Sequence, residues 1–157
     1  MTRTFTRQAG CMVLAACLAS LVPSQARQSH DHHAEHAVKE IELDHGRRWA
    51  TDAPLRAGME RIRAAVATAT AQGLDDAKAQ ALVAAVEDGI AFMVRNCRLK
   101  PEADANLHVL LGRLAAAATA VKANPRAPDG LPSMREAIGA YPRYFDHPGW
   151  QAIGHAH

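Results

Sequence analysis

Residues 52–73 read D-A-P-L-R-A-G-M-E-R-I-R-A-A-V-A-T-A-T-A-Q-G, and this stretch decides the fold. Leu55, Met59, Ile62, Val66 and Ala69 recur at steps of three and four, the spacing that lines one face of an α-helix. Thr51 or Asp52 supplies the N-cap, Pro54 is tolerated in the first turn, and Gly73 stops the helix. A helix over 52–72 follows. Aromatics make up only 4% of the chain and alanine is abundant, which favours closely packed helices over sheet.

Three more segments repeat the pattern. A helix over 75–98 carries the stripe Leu82, Val86, Ile90, Met93, Cys97, with acids at its start and Arg95 and Arg98 at its end. A third over 101–123 opens on Pro101, with Glu102 and Asp104 in its first turn, and carries Leu107, Leu110 or Leu111, Leu114, Ala118 and Val121. The loop N-P-R-A-P-D-G leads to a fourth over 131–145, with Leu131, Met134, Ile138, Tyr141 and Phe145. Pro142 lies inside that pattern and should kink or end it. No β-pattern is visible. Four such helices joined by mostly short turns predict an all-α, antiparallel up-down-up-down four-helix bundle over 51–147, followed by a C-terminal tail, 148–157.

Upstream, residues 1–26 read as a secretory signal. Arg3 and Arg7 precede the uncharged apolar run Gly10 to Val22, and Pro23-Ser24-Gln25-Ala26 offers small residues for a cut after Ala26. The run is shorter than the roughly 20 residues a permanent membrane helix needs. Leu14-Ala15-Ala16-Cys17 also matches a lipobox, so a lipoprotein acylated at Cys17 is the minor alternative. Either way the expected location is periplasmic, with no transmembrane segment in the mature chain. The signal holds two of the 18 basic residues and none of the 16 acids, so the mature chain is neutral with histidine uncharged. That argues against a nucleic-acid partner. Cys97 is the one cysteine left after the signal, which excludes an internal disulfide.

Between signal and helices lie a tail and lead-in, 27–50. Arg27 to Ala37 reads R-Q-S-H-D-H-H-A-E-H-A, placing His30, His32, His33 and His36 within seven residues. A disordered, imidazole-rich terminus is most simply a ligand for copper, zinc or nickel. The lead-in that follows is expected to be mostly irregular, with Leu43 and Trp49 docked on the helices. Trp49 and Trp150 should meet as partly buried plugs.

The predicted topology adds a second candidate site. Met59, Met93, Cys97 and His108 fall toward the same end of the bundle, with Tyr141 at similar depth and His147 at or beyond the rim. Thioether, thiolate and imidazole suit Cu(I). Each also has a purely structural reading, since Met59, Met93 and Cys97 lie on core stripes and His108 flanks one. No phosphate loop, no H-E-x-x-H and no nucleophile motif is present, so no catalytic residue is assigned.

Leu55-Arg56-Ala57-Gly58-Met59-Glu60-Arg61-Ile62 resembles the soluble periplasmic b-type cytochromes of four-helix form, which carry an axial Met in a similar L-x-x-x-M-E setting. Pro101-Glu102 followed by His108 is similar to the start of their third helix. The resemblance covers about residues 52–147. It implies the four-helix fold and a cofactor-binding role for Met59. The family's second ligand is a His just after an Ala-Tyr pair. Here Ala140-Tyr141 is followed by Pro142, and His147 comes only later, which argues against haem. The blocks L-D-H-G-R-R-W-A-T-D-A-P-L-R (43–56) and Y-F-D-H-P-G-W (144–150) also look like a poorly characterised set of exported bacterial proteins labelled DnrO-like, a label that implies no activity.

The expected function is therefore a periplasmic, non-enzymatic transition-metal-binding protein, with copper first and zinc second. The alternatives are a metal-free helical binding or stress protein, and a haem-binding electron-transfer bundle. The metal ion is the expected partner, and the oligomeric state stays open.

Overall fold

The computed structural model describes residues 40–154; the signal-like segment and the His-rich stretch 27–37 lie outside that range. The described chain is mostly helical. After the short strand β1 (Trp49–Ala50) come α1 (Ala53–Gln72), α2 (Asp76–Asn96), α3 (Pro101–Ala123) and α4 (Gly130–Tyr144), then β2 (Phe145–Asp146). Each helix packs on the next, and α1 also meets α4.

Local chemistry sets the helix ends. Asp52 is extended, and its carboxylate accepts the Leu55 N–H at 2.8 Å; Asp75 does the same for Lys78 at 2.8 Å. Gly73 ends α1 at a φ of 70°, a backbone region that favours glycine. Pro142 falls in the last turn of α4, and the helix runs only two residues past it.

The apolar stripes become the core. Leu55, Met59, Ile62, Val66 and Ala69 of α1 are all buried, as are Leu82, Val86 and Met93 of α2. Burying each large apolar side chain contributes about 1.5–3 kcal/mol. Ile90, Cys97 and Leu131 are only partly buried, at the margins of their stripes. The α1–α2 contact is close because glycines face bulky neighbours reciprocally. A Cβ on Gly58 would lie 2.8 Å from Met93 Sδ, and one on Gly89 would lie 2.6 Å from Ile62 Cγ1. So Met93 occupies the space over Gly58, and Ile62 that over Gly89.

Two features correct the sequence reading. First, β-structure exists: β1 and β2 pair in parallel, with Trp49 opposite Phe145 and Ala50 opposite Asp146. Two residues per strand are too few to show a period in sequence. Second, Leu43 is exposed at 40%, and Ile41 takes the docked position instead. The Glu42 N–H donates to Asn106 Oδ1 at 2.7 Å, and the Glu42 carbonyl accepts Trp49 Nε1–H at 2.6 Å. These bonds hold the chain against α3 at Ile41. Leu43 then enters a tight turn in which Asp44 and Arg47 exchange backbone hydrogen bonds, with His45 and Gly46 at positive φ.

Candidate functional site

The start of α1, the end of α2 and the end of α4 are tied together by Asp52 and its neighbours. Besides capping α1, the Asp52 carboxylate accepts the Arg98 N–H at 2.7 Å. Thr51 Oγ1 donates to the Asp146 carbonyl at 2.6 Å, and Arg48 pairs with the Asp146 carboxylate at 2.8 Å. Arg56 reaches back to the Thr51 carbonyl at 2.6 Å.

Cys97 sits in this corner, partly buried, with its thiol near the Asp52 carboxylate. Burial first, then the charges of Asp52 and Asp104, push the thiol up to about 12. A neutral thiol is a poor ligand and a poor nucleophile. Met59 and Met93 are fully buried. His108 is not with them: its side chain is 54% exposed, and Nδ1 lies 2.9 Å from the carbonyl and 3.4 Å from the carboxylate of Asp104 on its own helix. Among the described residues no group of three or more His, Cys, Asp or Glu side chains is placed to hold a metal ion. The four tail histidines, His30, His32, His33 and His36, lie outside the described residues.

Met59, which the resemblance assigns to a cofactor, lies in the interior of the helices. The side chain is sealed in the core, Pro142 follows Ala140-Tyr141, and both ring nitrogens of His147 face other partners.

Those partners form a cluster that the sequence reading did not assign. Tyr141 is fully buried, and its hydroxyl lies 3.1 Å from His147 Nδ1. The His147 side chain is 6% exposed, and Nε2 lies 3.8 Å from Glu60 Oε1. Glu60 Oε2 is held by Arg63 at 2.8 Å. Trp150 closes the corner, with its ring centroid 4.7 Å from that of Tyr141 and 5.1 Å from that of His147. Phe145 stacks on Tyr141 with ring centroids 5.3 Å apart. Trp49 and Trp150 are both at least partly buried, Trp49 beside Phe145 through the strand pair.

Burial raises the Tyr141 phenol far above its ordinary range and lowers His147 below its own. The phenol is therefore protonated and its O–H donates to Nδ1. The ring proton is then assigned to Nε2, facing Glu60. Nδ1 is thus hydrogen-bonded, while Nε2 faces Glu60 from beyond hydrogen-bond distance. One sequence signal did point here. Four of the seven aromatic residues, Tyr141, Tyr144, Phe145 and Trp150, fall within ten positions.

No known protein family, curated protein or solved structure matches the chain.

Proposed function

We propose that the protein is an exported, non-enzymatic transition-metal-binding protein, with copper first and zinc second as its ion. The ligands are the imidazoles of His30, His32, His33 and His36. The helices form an antiparallel up-down-up-down bundle that carries them, a reading supported by the short links between α1, α2 and α3 and by the return of α4 to α1. The single observation carrying the function is four imidazoles within seven residues, next to Asp31 and Glu35. The soft side chains of the described region, by contrast, serve packing: Met59 and Met93 fill the interior, and Cys97 is held as a thiol.

Calorimetric titration of the exported chain with Cu(II) tests this. Deleting residues 27–37 should abolish binding and leave the helical circular dichroism unchanged. Affinity of the intact chain should fall as pH drops below about 6.5, because an imidazole must be neutral to ligate. Full binding by the truncated chain would move the ligands into the helical region. No binding by either form would favour a metal-free helical binding protein.

A further inference from the structure

The C-terminal segment, residues 147–154, lies over α1 and α4. Among the described residues, one hydrogen bond joins it to the helices, between Tyr141 and His147; its others are internal, from Trp150 N–H to the His147 carbonyl and from Gln151 to the Gly149 carbonyl. The rest of its attachment is the packing of Trp150 and Ile153, the Arg63 guanidinium 5.8 Å over the Trp150 ring, and the approach of His147 to Glu60. The one hydrogen bond of this fastening thus depends on a single titratable ring.

We propose that His147 is an acid-released latch: neutral, it pins the C-terminal segment across α1 and α4; protonated, it lets the segment go. The phenol of Tyr141 donates to Nδ1, so adding a proton at Nδ1 sets a donor against a donor. For the phenol oxygen to accept instead, its hydrogen must turn away toward the Phe145 and Trp150 rings, which offer it no lone pair. The new charge also enters a site that is almost dry. The charged groups facing the ring do not offset this. Arg56 and Arg63 on α1 oppose a cation, and Glu60 on α1 favours it but is already held by Arg63. On α4 the neighbour is Tyr141, itself influenced by Cys97 at the end of α2; on β2, Asp146 is paired with Arg48.

The sign follows from linkage. Burial, reinforced by the two arginines, makes the docked ring bind its proton less readily than a free histidine. Docking is therefore fully held above about pH 6.5, the ordinary histidine value, and is lost as pH falls below it. Release has a structural consequence. Trp150 and Ile153 wall a cavity of about 220 Å³ over Arg135, Ile138, Gly139 and Pro142, and opening the segment uncovers that floor. The Arg135 Nε is buried there without a hydrogen-bond partner.

Amide hydrogen exchange on the exported chain, read by mass spectrometry between about pH 7.5 and pH 5 and corrected for intrinsic rates, tests the latch. Exchange in 149–153 should rise as pH falls, by at most about tenfold per pH unit for one linked proton, while α3 stays constant. His147→Gln should remove the pH dependence in this window. Tyr141→Phe, which keeps the ring and loses the donor that opposes a proton at Nδ1, should make exchange rise less as pH falls. Constant protection in the unmodified chain, or the same rise in His147→Gln, overturns the proposal. If His147→Gln does not fold, Tyr141→Phe decides: a smaller rise supports the latch and the same rise as in the unmodified chain overturns it.

Discussion

The α1–α2 interior and the Tyr141–His147 corner both exclude water, by different means. In the interior, Met59, Ile62 and Met93 are fully buried, and the helices come together because Gly58 and Gly89 leave room for Met93 and Ile62. No proton or charge is involved, so only volume matters there. The corner contains Tyr141, His147, Glu60 and Arg63, whose polar atoms are paired in a chain. Its closure includes a hydrogen bond between Tyr141 and His147, whose ring can take up a proton. The interior should therefore respond to the size of a substitution and be indifferent to mild acid. The corner should respond to pH and to the loss of a single hydrogen-bonding atom.

The largest effect expected is from truncating the interior. Met59→Ala should lower unfolding free energy by about 2–5 kcal/mol in urea denaturation, with the same loss at pH 7 and in mild acid. A loss that changed with pH would tie Met59 to the corner and erase the distinction. Adding volume comes next. Gly89→Ala should cost about 1–3 kcal/mol, because the new methyl would lie 2.6 Å from Ile62 Cγ1. That is the reverse of the usual gain of nearly 1 kcal/mol from replacing glycine within a helix. A stabilised Gly89→Ala variant would mean that the interior is loose enough to absorb a methyl group.

The smallest stability change probes the corner. Asp52→Ala should cost about 1 kcal/mol through the lost helix cap. Its sharper readout is chemical: the Asp52 carboxylate raises the Cys97 thiol, so its removal should speed alkylation of Cys97 at a fixed mildly alkaline pH. An unchanged alkylation rate would show that burial alone controls the thiol and that the corner is less coupled than the interior contrast requires.

The interior was legible in the sequence. The stripe Leu55, Met59, Ile62, Val66, Ala69 was read from spacing alone, and all five residues are buried. Within a helix the 3.6-residue period fixes which side chains share a face, so a local pattern carries the answer. The candidate site was less legible. His108 sits one position from Leu107, and the four-residue step to Asp104 was enough to draw its ring onto its own helix. Nothing in the spacing distinguished that outcome from an inward-facing ligand. The sequence puts His147 at or beyond the rim, because it follows Pro142 and lies past the last periodic position, Phe145.

What the sequence determined by itself is what depends on neighbours along the chain. The four helices, their caps at Asp52 and Asp75, their buried faces and the concentration of imidazoles at 30–36 all belong to that set. Only the tertiary structure decided the rest. It paired β1 with β2, put Ile41 in place of Leu43, laid Met93 over Gly58, and brought Glu60 to His147 across 87 positions of chain. Such contacts depend on how whole helices dock. Docking is set by the summed shape of many side chains, and no single stretch of sequence records it.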